Sequence, residues 1–198
     1  MPADDFFERH LTATPVMVIL RGHDPDTTVR LCRDARALDV ELIEIPWHGK
    51  ESAASLAAAV AWAESEPGVR VGAGTITTTE SLDAVCALGV EFTVAPGFDP
   101  RVAAASVGHG RPHLPGVATG TEVGAALVAG FRWQKAFPAA VLTPAWCTAL
   151  RAPFPDVRFV ATGGINAGNA AAFLGAGARA VSFGSSFTPA AVRALRVG

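Results

Sequence analysis

Residues 40–63 read VELIEIPWHGKESAASLAAAVAWA, from Val40 to Ala63, and pass from a β-branched run through a turn into an Ala-rich run. The first part alternates with a period of two, so Leu42 and Glu44 share one face of a strand while Ile43 and Ile45 share the other. The second part, from Ser52 to Ala63, has no glycine or proline and is dominated by the best helix former. The same strand-then-helix unit recurs at short intervals. It predicts strands at Val16 to Leu20, Val40 to Ile45, Val69 to Thr75, Phe92 to Pro96, His113 to Ala118, Trp133 to Phe137, Val157 to Thr162 and Ala180 to Gly184. Helices are predicted between them at stretches such as Leu82 to Leu88 and Thr121 to Val128, with Gly89, Gly130 and Gly175 as helix stops. Eight such units favour an α/β fold of the (β/α)8 TIM-barrel type, and an open doubly wound sheet is the rival. That rival lacks its fingerprint, because Gly72-Ala73-Gly74 supplies only half of G-x-G-x-x-G and no Walker A sequence occurs.

A chain of 198 residues suits one domain, here residues 1–198, with short loops, since a typical barrel takes about 250. Asp4 to Thr12 is expected to form a short N-terminal helix closing the barrel bottom. Acidic and basic residues nearly cancel, at a formal charge of -2 and a pI of about 6.2, and no basic run tracks a phosphate backbone; no nucleic-acid partner is expected. No window reaches the roughly 18 apolar residues of a membrane span. The opening Asp4, Asp5, Glu8 and Arg9 are unlike a signal peptide, so the expectation is a cytoplasmic protein with no membrane partner. Cys32, Cys86 and Cys147 lie far apart in apolar surroundings and read as buried free thiols. His48, His109 and His113 have no spacing for a metal site, and no metal is expected. No Ser-His-Asp order or G-x-S-x-G elbow is visible either.

Of the sixteen basic residues only Lys50 and Lys135 are lysine, so a lysine inside an apolar segment stands out. In Trp133-Gln134-Lys135-Ala136-Phe137, alternation groups Trp133, Lys135 and Phe137, and a lysine between two aromatics is desolvated. That is how a protein makes lysine a nucleophile toward a carbonyl carbon; the plainer reading is a lysine snorkelling at a strand end. Glu44 is turned to the barrel mouth by the same alternation, where it is either used, solvated or a salt-bridge partner of an arginine. Second and sixth strands lie opposite each other, so Glu44 and Lys135 are expected to converge on one small ligand, as Schiff-base chemistry requires. Thr162-Gly163-Gly164-Ile165-Asn166 and Phe183-Gly184-Ser185-Ser186 close the seventh and eighth strands ahead of helical segments, a pattern suited to an anion. Other polar strand ends are Arg21, Thr75 and Pro96-Gly97; Arg21 is either a carboxylate fork or a surface partner of Asp24 or Asp26.

Arg21-Gly22, Glu44-Ile45-Pro46, Gly72-Ala73-Gly74-Thr75, Ala95-Pro96-Gly97, Leu114-Pro115-Gly116, Lys135-Ala136-Phe137-Pro138, Thr162-Gly163-Gly164-Ile165 and Gly184-Ser185 occur in this order from about Val16 to Pro189. The pattern resembles the 2-keto-3-deoxy-6-phosphogluconate (KDPG) aldolases and their 4-hydroxy-2-oxoglutarate and 2-keto-3-deoxy-6-phosphogalactonate relatives. The resemblance implies a class I, metal-independent aldolase without a cofactor, usually a homotrimer, acting on a small-molecule substrate in Entner–Doudoroff carbohydrate metabolism. It implies Lys135 as the Schiff-base lysine and Glu44 as the general acid/base. Thr75 and Arg21 would hold the pyruvyl carboxylate, Phe137 would pack on the pyruvyl group, Pro96 and Thr162 would join the substrate site, and Gly163, Gly164, Gly184 and Ser185 would bind phosphate. The chain departs from the gluconate type at Ile45-Pro46-Trp47-His48, where that type has Val-Thr-Leu-Arg, while Thr162 resembles the gluconate type. With His48 in place of the arginine, phosphate affinity is expected to depend on pH if His48 takes over part of its role. After Pro138 the usual Gly-rich turn is replaced by Ala139-Ala140-Val141-Leu142. The implied reaction is cleavage of KDPG to pyruvate and glyceraldehyde 3-phosphate, an aldehyde-lyase activity. The alternatives are the other two aldolase substrates, a phosphosugar isomerase or synthase, and a non-catalytic phospho-metabolite-binding barrel.

Overall fold

The computed structural model describes residues 3–195. Its strands are β1 (Val16–Ile19), β2 (Leu42–Pro46), β3 (Arg70–Gly74), β4 (Phe92–Val94), β5 (His113–Leu114), β6 (Gly116–Val117), β7 (Trp133–Ala136), β8 (Arg158–Thr162) and β9 (Ala180–Phe183). They alternate with α2 (Pro25–Arg36), α3 (Lys50–Ala63), α4 (Thr79–Ala87), α5 (Pro100–Gly108), α6 (Gly120–Val128), α7 (Ala139–Arg151), α8 (Ala170–Gly175) and α9 (Pro189–Ala194), after an N-terminal α1 (Ala3–Leu11). Helix starts follow side-chain chemistry. Asp24, Thr78, Asp99, Thr119 and Thr188 each accept a main-chain N–H as N-cap, and Thr119 with Glu122 forms a full capping box. The expected stop at Gly175 is displaced: Gly175 is the last residue of α8, and Gly177 makes the left-handed turn at φ +98°.

All pairings are parallel, in the order β5-β4-β3-β2-β1-β9-β8-β7-β6. The two ends of that order, β5 and β6, are consecutive in the chain, so the sheet curls into a nearly closed barrel. The expected single fifth strand is thus two pieces, because Pro115 has no N–H to give the ladder. The seam is still bonded on both sides, with Ala95 N donating to Leu114 O at 3.1 Å, Gly116 N to Gly97 O at 3.2 Å, and Lys135 N to Pro115 O at 2.8 Å.

Alternation divides the core as expected. Ile43 and Ile45 pack outward with Leu56 and Ala59 of α3, while Leu42 points inward with Met17, Phe92, Leu114, Trp133 and Val160. Phe6, Phe7 and Leu11 of α1 join that inner cluster and plug the N-terminal end, leaving the opposite end for chemistry. Gly72 makes room inside, since a Cβ there would lie 2.6 Å from the Phe92 ring. α1 is tied down by Asp4, whose Oδ1 accepts from Arg132 N at 3.1 Å, and by Glu8, 2.8 Å from Arg158 Nε. On the outer side of β5, Ser106 Oγ donates to Arg111 O at 3.1 Å, so Thr93 donates to Ser106 at 2.7 Å and accepts from His113 Nδ1 at 2.8 Å. His113 is consequently the Nδ1–H tautomer, with Nε2 buried and without a hydrogen-bond partner among the described residues. Cys32 and Cys147 are buried free thiols, which desolvation pushes up to about 12 and about 11, whereas Cys86 is only half-buried.

Candidate active site

A cavity of about 480 Å³ opens at the C-terminal end of the strands, lined by Ile19, Arg21, His23, Lys135, Phe137, Thr162, Gly163, Gly164, Ile165, Asn166, Gly184, Ser185 and Ser186. A hollow of similar volume, about 470 Å³, lies at the other end around Glu64, Pro67, Arg70 and Glu91, and neither Lys135 nor Glu44 lines it. β7 delivers Lys135 and β2 delivers Glu44 from opposite sides. Glu44 is 1% exposed and Lys135 5%, with Nζ 3.7 Å from Oε1 and 5.1 Å from the centre of the Phe137 ring. Glu44 therefore faces the lysine rather than an arginine, and Lys135 does not snorkel. Glu44 Oε2 has no hydrogen-bond partner among the described residues although it is buried. A buried unpartnered carboxylate oxygen beside an amine is poised to exchange a proton with a ligand or water.

The position of Glu44 is set by Gly74 on the neighbouring strand. Glu44 pairs in register with Gly72 and Pro46 with Gly74, and a Cβ at Gly74 would sit 1.8 Å from Glu44 Oε1. Thr162, 2% exposed, ends β8, and its hydroxyl lies 3.1 Å from Ser182 Oγ and 3.3 Å from Val160 O. Gly163 and Gly164 follow at φ +94° and +76°, and a Cβ at Gly164 would lie 2.5 Å from Ala140 Cβ. The Asn169 side-chain amide donates to Gly164 O at 2.9 Å, and Ser186 Oγ donates to Ile165 O, binding the two glycine turns together. The N–H groups of Gly164, Ser185 and Ser186 have no acceptor among the described residues. Neither turn runs straight into a helix, since α8 starts only at Ala170 and α9 at Pro189, so what the turns present to the cavity is loop amides, not the helix N-termini expected from sequence.

Arg21 is exposed on the cavity wall, and its Nη1 donates to His48 Nε2 at 3.1 Å, in place of the pairing with Asp24 or Asp26. His48 does not line the glycine-walled cavity. It belongs to a neighbouring one of about 430 Å³, with His23, Asp24, Glu51 and Ser52. Thr75 and Pro96 are also off the main cavity wall. Thr75 is half-buried at φ +63°, and Pro96 lines a shallow hollow of about 230 Å³ with Ile76, Phe98 and Asp99. Sequence reading missed Ile19 and His23 as wall residues, and gave Ile165, Asn166 and Ser186 only as members of the two glycine turns, without a role of their own. For Asn166 and Ser186 the signal was their place in the two glycine turns; His23 has none. Among the described residues no group of three or more His, Cys, Asp or Glu side chains is placed to hold a metal ion, and no helix is long and apolar enough to cross a membrane.

A family model for KDPG and KHG aldolase matches residues 7–195. The chain is 35% identical over 173 residues to a probable 2-dehydro-3-deoxy-6-phosphogalactonate aldolase of Rhizobium meliloti, covering 87% of this chain and 81% of that one. It is 46% identical over 107 residues to the 2-dehydro-3-deoxy-phosphogluconate aldolase of Treponema pallidum, covering 54% of this chain and 51%, about half, of that relative's length. Among solved structures it is similar to the KDPG aldolase of Legionella pneumophila with pyruvate captured as a covalent carbinolamine. The TM-score there is 0.81 at 26% identity, over 94% of this chain and 90% of that one.

Proposed function

The chain belongs to the KDPG and KHG aldolase family, and from that premise we propose that it cleaves KDPG to pyruvate and glyceraldehyde 3-phosphate through an imine on Lys135. The observation that carries this reading is the buried Lys135–Glu44 pair, 3.7 Å apart at a cavity that also presents Arg21 and the glycine turns. The Lys135 amine adds to the C2 carbonyl and water is lost, giving the imine. The C4 hydroxyl passes its proton to Glu44, the C3–C4 bond breaks, and its electron pair moves into the imine as an enamine while the aldehyde leaves. Glu44 returns the proton to C3, and hydrolysis releases pyruvate and the free amine. Arg21 would hold the pyruvyl carboxylate by a charge-assisted fork, with Phe137 against the methyl end.

Three N–H groups without acceptors, at Gly164, Ser185 and Ser186, support a terminal phosphate, since a backbone cradle binds a dianion without a cationic side chain. They favour a phosphorylated six-carbon substrate over 4-hydroxy-2-oxoglutarate, and Thr162 favours the gluconate over the galactonate form. We also propose a homotrimer acting in the cytoplasm. Large exposed apolar side chains at Val107, Val128 and Val141 all fall on α5, α6 and α7, a pattern suited to an interface, and free thiols suit a reducing compartment.

Reduction with borohydride in the presence of pyruvate is expected to fix a pyruvate-dependent adduct on Lys135, read by peptide mass mapping. Turnover without that label would overturn the imine. Activity is expected to survive EDTA. A higher kcat/KM for 4-hydroxy-2-oxoglutarate than for either phosphorylated acid would remove the phosphate assignment.

A further inference from the structure

An arginine has five N–H donors and no acceptor, so the 3.1 Å contact between Arg21 Nη1 and His48 Nε2 needs a free lone pair on Nε2. The proton of the neutral ring must then sit on Nδ1. His48 is itself anchored, because its main-chain N–H donates to Ser52 Oγ at 2.7 Å, and Ser52 Oγ in turn donates to Gly49 O at 3.2 Å. Arg21 is thereby braced from the second loop while its remaining donors, without an acceptor among the described residues, lie on the wall shared with Lys135.

We propose that His48 is a positioning residue that holds the Arg21 guanidinium toward the substrate carboxylate, and does so only while its ring is neutral. This rests on the carboxylate role proposed above for Arg21. A protonated ring has no lone pair to offer and faces the guanidinium with like charge, so the brace is lost as pH falls. The titratable and charged groups around His48 come from three elements. Arg21 and His23 lie in the loop after β1, Asp24 caps α2, and Lys50 and Glu51 begin α3. Asp24 Oδ1 accepts from Thr27 N at 2.9 Å, and no hydrogen bond or ion pair joins Asp24 to Arg21 among the described residues.

Two measurements test the brace. Nitrogen NMR of the His48 ring at about pH 8 is expected to show the neutral Nδ1–H tautomer, shifted in Arg21→Gln; the Nε2–H tautomer would overturn the proposal whatever the substrate proves to be. In steady-state kinetics, His48→Leu is expected to raise KM about three- to tenfold with kcat changed less than about twofold, the size expected for an exposed charge-assisted hydrogen bond. Wild-type KM should climb wherever acid protonates the ring, while His48→Gln, whose carbonyl accepts at every pH, should keep the low KM and flatten the profile. In an Arg21→Gln background His48→Leu should add nothing. Unchanged KM in His48→Leu, or an equal effect without Arg21, overturns the positioning role. Absence of the borohydride adduct on Lys135 in wild type instead strikes the imine reading and leaves the tautomer result to decide the brace.

Discussion

Glu44 keeps its place because position 74 carries no side chain. With a would-be Cβ 1.8 Å from Oε1, Gly74→Ala must displace the carboxylate from its present place beside Lys135, so it is expected to cost about 1–3 kcal/mol and to depress kcat along with stability. Glu44→Gln removes only the proton carrier. It should lower kcat by about two to four powers of ten while the melting temperature moves little, and a normal kcat in folded Glu44→Gln would return Glu44 to a purely structural role. Both residues were legible in sequence, Glu44 through the alternation of Leu42 to Ile45 and Lys135 through the scarcity of lysine. The Arg21–His48 contact was not, because it joins two loops whose approach depends on how β1 and β2 pair.

Helix α7 holds a defect that its apolar pattern does not reveal. Thr143 sits at φ +68° and ψ 162°, a region nearly restricted to glycine, and Pro144 follows, so the helix is two pieces joined at a kink. Relief of that strain outweighs the extra chain entropy of glycine, and Thr143→Gly is expected to raise stability by about 1 kcal/mol in urea unfolding. The fifth strand shows the opposite case. Gly116 lets the seam close, since a Cβ there would lie 2.2 Å from the Pro96 carbonyl carbon, and backbone cannot swing aside as a side chain can. Gly116→Ala should therefore cost more than about 3 kcal/mol and loosen amide exchange along β4 and β6. Strand positions were readable from β-branched runs to within a residue or two. The break at Pro115 was not read, because apolar residues on either side hid the missing donor.

At the scale of the molecule, acid stability has an identifiable source in His113. Burial lowers its pKa from 6.5 to about 4. The unfolded chain takes up a proton near 6.5 and the folded one only near 4, so the stabilisation is full above the first value and is lost progressively as pH falls toward the second. The loss amounts to about 3 kcal/mol, and His113→Asn should remove this part of the pH dependence of the urea midpoint. Topology also constrains the order of assembly. Among the described residues every strand pairing joins consecutive strands except β1 with β9, which sets Val16 beside Val181. Bringing those two together before the intervening units exist means closing a loop of nearly the whole chain, at full entropic cost and with few contacts in return. Ring closure is therefore expected to come last, with β1 and β9 until then open edges able to pair with another copy, and refolding at high protein concentration is expected to yield exchanged dimers through that pair of strands, read by size-exclusion chromatography.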